Sequence, residues 1–179
     1  WIGFAKKYGM NAFDAVVTPA QGGSLRLFLS KKKLKKTKRF KKLLNEEFKT
    51  KLNTYTKCIE YRKNVNDVSK RLRSLVLNLK KKGKKIAGYG AAAKGMTILK
   101  CSNIGNKLKY FVDDSPAKQG LYSPVDHVPI ISRKDAQKKL PDYFIILAPN
   151  YSEIIIKKEK KFIQNGGKFI VLTKDIKVV

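Results

Sequence analysis

Two runs near the end of the chain, Tyr143-Phe144-Ile145-Ile146-Leu147 and Phe169-Ile170-Val171-Leu172, are apolar at every position. A strand with one wet face alternates in polarity. Continuous runs of this length instead require burial on both faces, as in a parallel sheet covered by helices. Around them, the chain beyond Gly83 alternates between the two periodicities. The pattern predicts strands over 85–89, 108–112, 128–131, 143–148 and 168–172, with helices over 92–103, 134–140 and 152–165. Residues 84–179 are therefore expected to form a Rossmann-like α/β domain with a doubly wound, mostly parallel sheet.

Upstream the periodicity changes twice. Phe13-Asp14-Ala15-Val16-Val17 and Ser24-Leu25-Arg26-Leu27-Phe28-Leu29 read as strands. The Pro and paired Gly of Thr18-Pro19-Ala20-Gln21-Gly22-Gly23 mark a turn between them, so an antiparallel β-hairpin is expected. From Thr37 to Lys82 there is no glycine or proline, and apolar residues recur in steps of three and four at Val65, Val68, Leu72, Leu75 and Leu79. That spacing predicts one long helix, or two with a break near residues 64–67, stopped by Gly83. Three segments follow: 1–30 with the hairpin, a helical connector over 31–83, and the α/β domain over 84–179. The opening stretch, Trp1 to Gly9, reads as the end of an amphipathic helix closed by glycine, the expectation for a piece of a longer protein.

With 42% hydrophobic residues in 179, the chain has the apolar content to build a core. Its formal charge of +28 comes from 41 Lys and Arg against 13 Asp and Glu. Clustered positive charge is the footprint of a surface for phosphates. Apart from Lys31-Lys32-Lys33-Leu34-Lys35-Lys36, however, the lysines are spread through every segment without an aromatic-interleaved stripe. The expectation is no specific nucleic-acid partner. No apolar run nears the roughly 18 residues of a membrane span, and no secretory leader is visible, so no membrane partner and a cytoplasmic address are expected. Cys58, Cys101 and His127 are the whole inventory of Cys and His. They fall short of the four paired ligands of a structural zinc site, and neither a metal nor a disulfide is expected.

The chemistry concentrates at Gly88-Tyr89-Gly90-Ala91-Ala92-Ala93-Lys94-Gly95, where small residues leave a strand and open a helix. Without bulky side chains, the backbone N–H groups can approach a phosphate, and the helix N-terminus adds partial positive charge. Lys94 adds a full one. Tyr89, Gly90, Ala91, Ala92, Lys94 and Gly95 are the candidate nucleotide-binding residues. Gly88 to Ala93 also fits the dinucleotide template G-x-G-x-x-A, with Asp113 or Asp114 at the end of the next strand placed to hold an NAD ribose, so an NAD(P)-binding oxidoreductase domain is the competing reading. A Walker loop is excluded, because Met96-Thr97 follows Gly95. The plainest alternative is that the glycines only allow tight strand-to-helix packing.

Further candidates follow other strand ends, where open α/β sheets bind ligands. Lys118 could pair with a phosphate, Asn150 could hydrogen-bond a polar ring, and Tyr122 or Tyr151 could stack or donate from its hydroxyl. His127 has no nucleophile or second histidine beside it in sequence, so a structural or substrate-orienting role is expected of it. No catalytic dyad can be built.

Together these segments resemble one family. Gln21-Gly22-Gly23-Ser24-Leu25-Arg26, the helix end Lys82-Gly83-Lys84-Lys85, the glycine-rich turn, Lys118-Gln119-Gly120-Leu121-Tyr122, His127-Val128-Pro129-Ile130, Ala148-Pro149-Asn150-Tyr151 and Gly166-Gly167-Lys168-Phe169-Ile170 are similar, in order and spacing, to the C-terminal part of the S-adenosylmethionine-dependent sugar C-methyltransferases. The turn from Gly88 to Gly95 is the most specific of them. The resemblance implies a Rossmann-like domain that helps to bind a nucleotide-linked deoxysugar, preceded in the parent by a zinc-binding module and a methyl-donor domain. Residues 1–30 would then be the tail of the methyl-donor domain, the pocket for S-adenosylmethionine would lie mostly outside this chain, and the chain alone would not methylate. The family carries His immediately before Gly-Gly-Ser-Leu-Arg as the base that deprotonates the sugar carbon. Gln21 stands there instead, and its amide cannot accept that proton at neutral pH. The resemblance thus assigns this chain no catalytic base. At Pro149 the family often has tryptophan.

Overall fold

The computed structural model describes residues 1–172 and 175–179. The chain divides into two compact units, Trp1–Arg62 and Lys63–Val179.

In the first unit, helix α1 (Ile2–Lys7) leads into the antiparallel pair β1 (Asn11–Thr18) and β2 (Ser24–Ser30). The glycine expected to close α1 does so: Gly9 takes φ +66°, its N–H donates to the Lys6 carbonyl, and Met10 N–H reaches back to Ala5. This is a Schellman cap, which only a left-handed residue can make without strain. The register of the hairpin slips between Ala12 and Asp14. Helix α2 (Lys38–Thr50) is capped by Thr37, whose hydroxyl accepts from Phe40 N–H at 3.2 Å, and it buries Phe40 against Ala12 and Ala15. Together with α1 and α2, the hairpin borders an open apolar pocket of about 450 Å³ lined by Trp1, Leu25, Leu27, Phe40, Leu44 and Phe48, among others.

The helical connector breaks earlier than the sequence pattern suggests. Helix α2 ends at Lys51, in left-handed conformation at φ +52°, and α3 runs unbroken from Tyr55 to Lys81, straight through residues 64–67. Asn and Asp are tolerated on an exposed helix face, so a polar cluster alone does not stop a helix. At the other end Gly83 makes the expected Schellman cap, with bonds to Lys80 and from Lys84 to Leu79.

The second unit begins inside α3, and Leu72, Val76 and Leu79 of that helix are built into its core. Its sheet holds β3 (Ile86–Tyr89), β4 (Phe111–Val112), β5 (Ile130–Ile131), β6 (Tyr143–Ile146), β7 (Lys168–Leu172) and β8 (Ile176–Val178) in the order β5-β4-β3-β6-β7-β8. The first five are parallel, and β8 adds an antiparallel edge that the sequence reading missed. Counted within the unit the order is 3-2-1-4-5-6, that of the doubly wound dinucleotide fold. Alternate residues serve opposite faces. Ile86, Phe111, Ile145 and Ile170 pack with α3 and with Leu99 of α4 (Ala93–Ser102), whereas Ala87, Tyr89, Phe144 and Phe169 pack with α5 (Arg133–Gln137), α6 (Ser152–Lys158) and α7 (Lys160–Gln164). The single helix expected over 152–165 is broken at Glu159, whose carboxylate turns inward, is 4% exposed, and is held by Arg133 and by the Tyr89 hydroxyl at 2.8 Å. A buried charge needs such partners.

The first unit has a buried carboxylate as well. Asp14 accepts from Arg39, from the Thr37 hydroxyl at 2.6 Å and from Ala15 N–H at 2.9 Å. The Arg39 guanidinium above all, with these hydrogen bonds, holds its carboxyl well below the usual carboxylate range. Because the folded-state value lies below the unfolded one, of about 3.9, this contribution is full above that pH and is lost as pH falls through the folded-state range. Acid titration followed by the NMR signal of the Ala15 amide, which donates to Asp14, should therefore show this unit loosening below about pH 4. Asp14→Asn should be less stable at pH 7 and should lose that acid step.

Candidate functional site

Strand order reverses between β3 and β6, and the crevice outside the carboxyl ends of the strands at such a reversal is where open parallel sheets bind ligands. Three loops converge there, following β3, β4 and β6.

The loop after β3 is the glycine-rich turn. A Cβ on Gly88 would stand 2.4 Å from Phe111 Cδ1 and 2.8 Å from Leu147 Cδ1; one on Gly95 would stand 2.5 Å from Leu147 Cβ and 2.7 Å from its carbonyl oxygen. Close packing of strand and helix is thus what these two glycines provide. Gly90 answers a different need, since its φ of +90° turns the chain and brings it against Ala148 at the start of the β6 loop. Ala92 precedes α4 in extended conformation and makes no side-chain cap.

The loop after β4 is tied to this turn. Asp113 Oδ2 accepts from Ala91 N–H at 2.7 Å, and Lys118 Nζ donates to the Ala91 carbonyl at 3.0 Å and to Asp113 at 3.2 Å. Asp114 pairs instead with Lys158 at 2.7 Å. Both acidic residues placed by sequence for an NAD ribose are therefore engaged within the protein. After β6, Pro149–Tyr151 forms a 3-10 turn leading into α6, with Asn150 and Tyr151 exposed.

Gly90, Ala91 and Lys118 are brought into direct contact, Ala92, Asn150 and Tyr151 sit on the loops at the same strand ends, and Lys94 lies in the first turn of α4. Two candidates are placed elsewhere. Tyr89 is a core residue: its ring is 4% exposed and packs edge-on against Phe144 at 5.4 Å, and burial, with Glu159 beside it, pushes its phenol well above the ordinary range. Only its backbone borders the turn. Tyr122 is exposed but pairs with Pro129 at the entry to β5. His127 is exposed in a turn at φ +46°, and Gln21 is exposed at φ +58° in the hairpin loop of the first unit. The sequence reading missed the roles of Ser115, whose N–H donates to Asp113 Oδ1, and of Gln119, whose amide donates to the Asp113 carbonyl. No periodicity signals such loop bonds. Among the described residues, no three metal-ligating side chains come together, and no helix is long and apolar enough to cross a membrane.

Residues 19–173 match the C-methyltransferase C-terminal domain, a span that covers the hairpin turn, both long helices and every site loop. The chain belongs to this family. A C-methyltransferase, NovU of Streptomyces niveus, is 30% identical to it over 177 residues, which is 97% of this chain and 42% of that protein. This C-methyltransferase C-terminal domain thus spans less than half the length of that relative. In this chain the glycine-rich turn opens at the reversal of strand order in the mixed α/β sheet.

The packing at Gly95 has a measurable consequence. Alanine near the start of α4 would gain at most about 1 kcal/mol in helix propensity. Forcing a methyl group against the Leu147 backbone costs about 1–3 kcal/mol. Gly95→Ala should therefore unfold at lower urea than the wild type when followed by far-UV circular dichroism.

Proposed function

We propose that the domain holds a nucleotide-linked deoxysugar for a C-methyltransferase that draws its methyl group from S-adenosylmethionine. One observation carries the reading: the glycine-rich turn, the Lys118 loop and the Asn150–Tyr151 loop gather at the reversal of strand order in a member of this methyltransferase family. The nucleotide diphosphate lies by the turn and the start of α4, with Lys94 supplying charge, while Asn150 and Tyr151 border the base or sugar. A C-methyltransferase name on a relative of more than twice this length supports the class of reaction.

The methyl donor is assigned no residue here. A ribose-bearing cofactor needs an acidic group at the end of the second parallel strand. Asp113 is committed to Ala91, Ser115 and Lys118 and does not fit it, and Asp114 faces solvent in an exposed ion pair with Lys158. The same bonds weigh against the NAD(P) reading. Methyl transfer is therefore left to upstream domains of the parent chain, and the chain alone is expected to be inactive. The exposed thiols of Cys58 and Cys101 suit a reducing compartment such as the cytoplasm.

Calorimetric titration with thymidine diphosphate, NAD(P) and a short DNA duplex tests the reading. Saturable binding of the nucleoside diphosphate is expected. NAD(P) binding in its place would overturn the proposal, and duplex binding that fades with salt would reflect only the net charge. Lys94→Ala should weaken thymidine diphosphate by roughly three- to tenfold, the scale of one exposed charge-assisted contact, while the domain stays folded by circular dichroism.

A further inference from the structure

One residue of the glycine-rich turn is gripped from both sides. Its N–H is taken by Asp113 at 2.7 Å and its carbonyl by Lys118 at 3.0 Å, and the two gripping side chains form an ion pair at 3.2 Å. The residue is Ala91. The grip is itself braced, because Ser115 N–H donates to the second Asp113 oxygen and Gln119 holds the Asp113 carbonyl, each at 2.9 Å. The Asp113 side chain is 12% exposed, so water competes little for these bonds.

A run of glycine and alanine has no side chains of its own to hold its peptide planes, and such a backbone loses much freedom when it is ordered around a ligand. A turn already set in shape before binding avoids that cost. A lysine acting as counter-ion to a phosphate would aim its ammonium at the ligand. Here the Lys118 ammonium is directed at a carbonyl of the turn and at a carboxylate that would repel a phosphate placed beside it.

We propose that Asp113 and Lys118 are positioning residues that preset the peptide planes on either side of Ala91, and that Lys118 acts on a bound nucleotide through the shape of the turn instead of as a phosphate ligand. The inference deepens the nucleotide-binding reading and rests on it for the ligand, whereas the grip belongs to the unliganded chain. The two can be tested apart.

In the ligand-free chain, NMR-detected hydrogen exchange should show the Ala91 amide opening roughly tenfold faster in Lys118→Met, the scale of one lost hydrogen bond, with the amides of β7 unchanged. Thymidine diphosphate should then bind more weakly to Lys118→Met and to Asp113→Ala, and the double variant should bind no more weakly than Asp113→Ala alone. Wild-type exchange at Ala91 in Lys118→Met would overturn the proposal. So would an equal affinity loss from Lys118→Met with and without Asp113, the mark of a direct phosphate contact. Should Asp113→Ala fail to fold, the exchange of Lys118→Met decides alone. If the wild type binds no thymidine diphosphate, the nucleotide reading falls and the exchange result still judges the grip.

Discussion

Leu147 fills part of the space that two glycines leave open, sharing the Gly88 side with the Phe111 ring. Gly88 admits it from the strand side and Gly95 from the helix side, so α4 can lie directly on the β3–β6 pair. Leu147 N–H also donates to the Tyr89 carbonyl at 2.9 Å, which continues the parallel ladder one residue past β6. Because interiors are packed as densely as organic crystals, this contact leaves α4 little choice of position. The start of α4, the Gly90 bend and the loop after β6 are all set by it, and the candidate site is the space between them.

The other face of the sheet is organised by rings and one charge. Phe144 meets Tyr89, Phe162 and Phe169 with centroids 5.0–5.9 Å apart. Into this apolar layer Glu159 turns its carboxylate, matched by Arg133 and the Tyr89 hydroxyl. Leaving that charge unpaired would be costly, so the three groups are interdependent. The Tyr89 hydroxyl, which reads in sequence as part of the ligand turn, thereby joins the back of the sheet to the helices that cover it.

The chain's 13 acidic residues, set among 41 basic ones, do much of its local structuring. Asp14 gathers Arg39, Thr37 and Ala15; Asp113 gathers Ala91, Ser115 and Lys118; Asp142 accepts from Lys85 N–H at 2.6 Å, which with the nearby Lys84 holds its carboxyl below the ordinary range. In a chain this basic, a half-buried carboxylate finds donors on every side, and each one pins a loop or a strand end. The lysines, by contrast, are mostly solvated, in keeping with a charge excess spread through every segment.

The order of strands and helices beyond Gly83, the hairpin, the glycine caps at Gly9 and Gly83 and the family itself were legible in the residues, because apolar periodicity and left-handed glycine positions are local properties of the chain. The interruption of the last helices at Glu159 was not, since it depends on Arg133 and Tyr89, distant in sequence. Nor were the left-handed Lys51 that ends α2 and the short β8 that pairs back on the neighbouring β7, which no apolar periodicity marks. The glycine-rich turn shows the division most plainly. Its small residues declared a strand-to-helix turn, but they could not say which glycines serve packing and which serve the bend. Only the fold, by bringing Leu147 against Gly88 and Gly95 and Asp113 and Lys118 onto Ala91, assigned those roles, because a contact between residues far apart in the chain exists only once the sheet has been assembled.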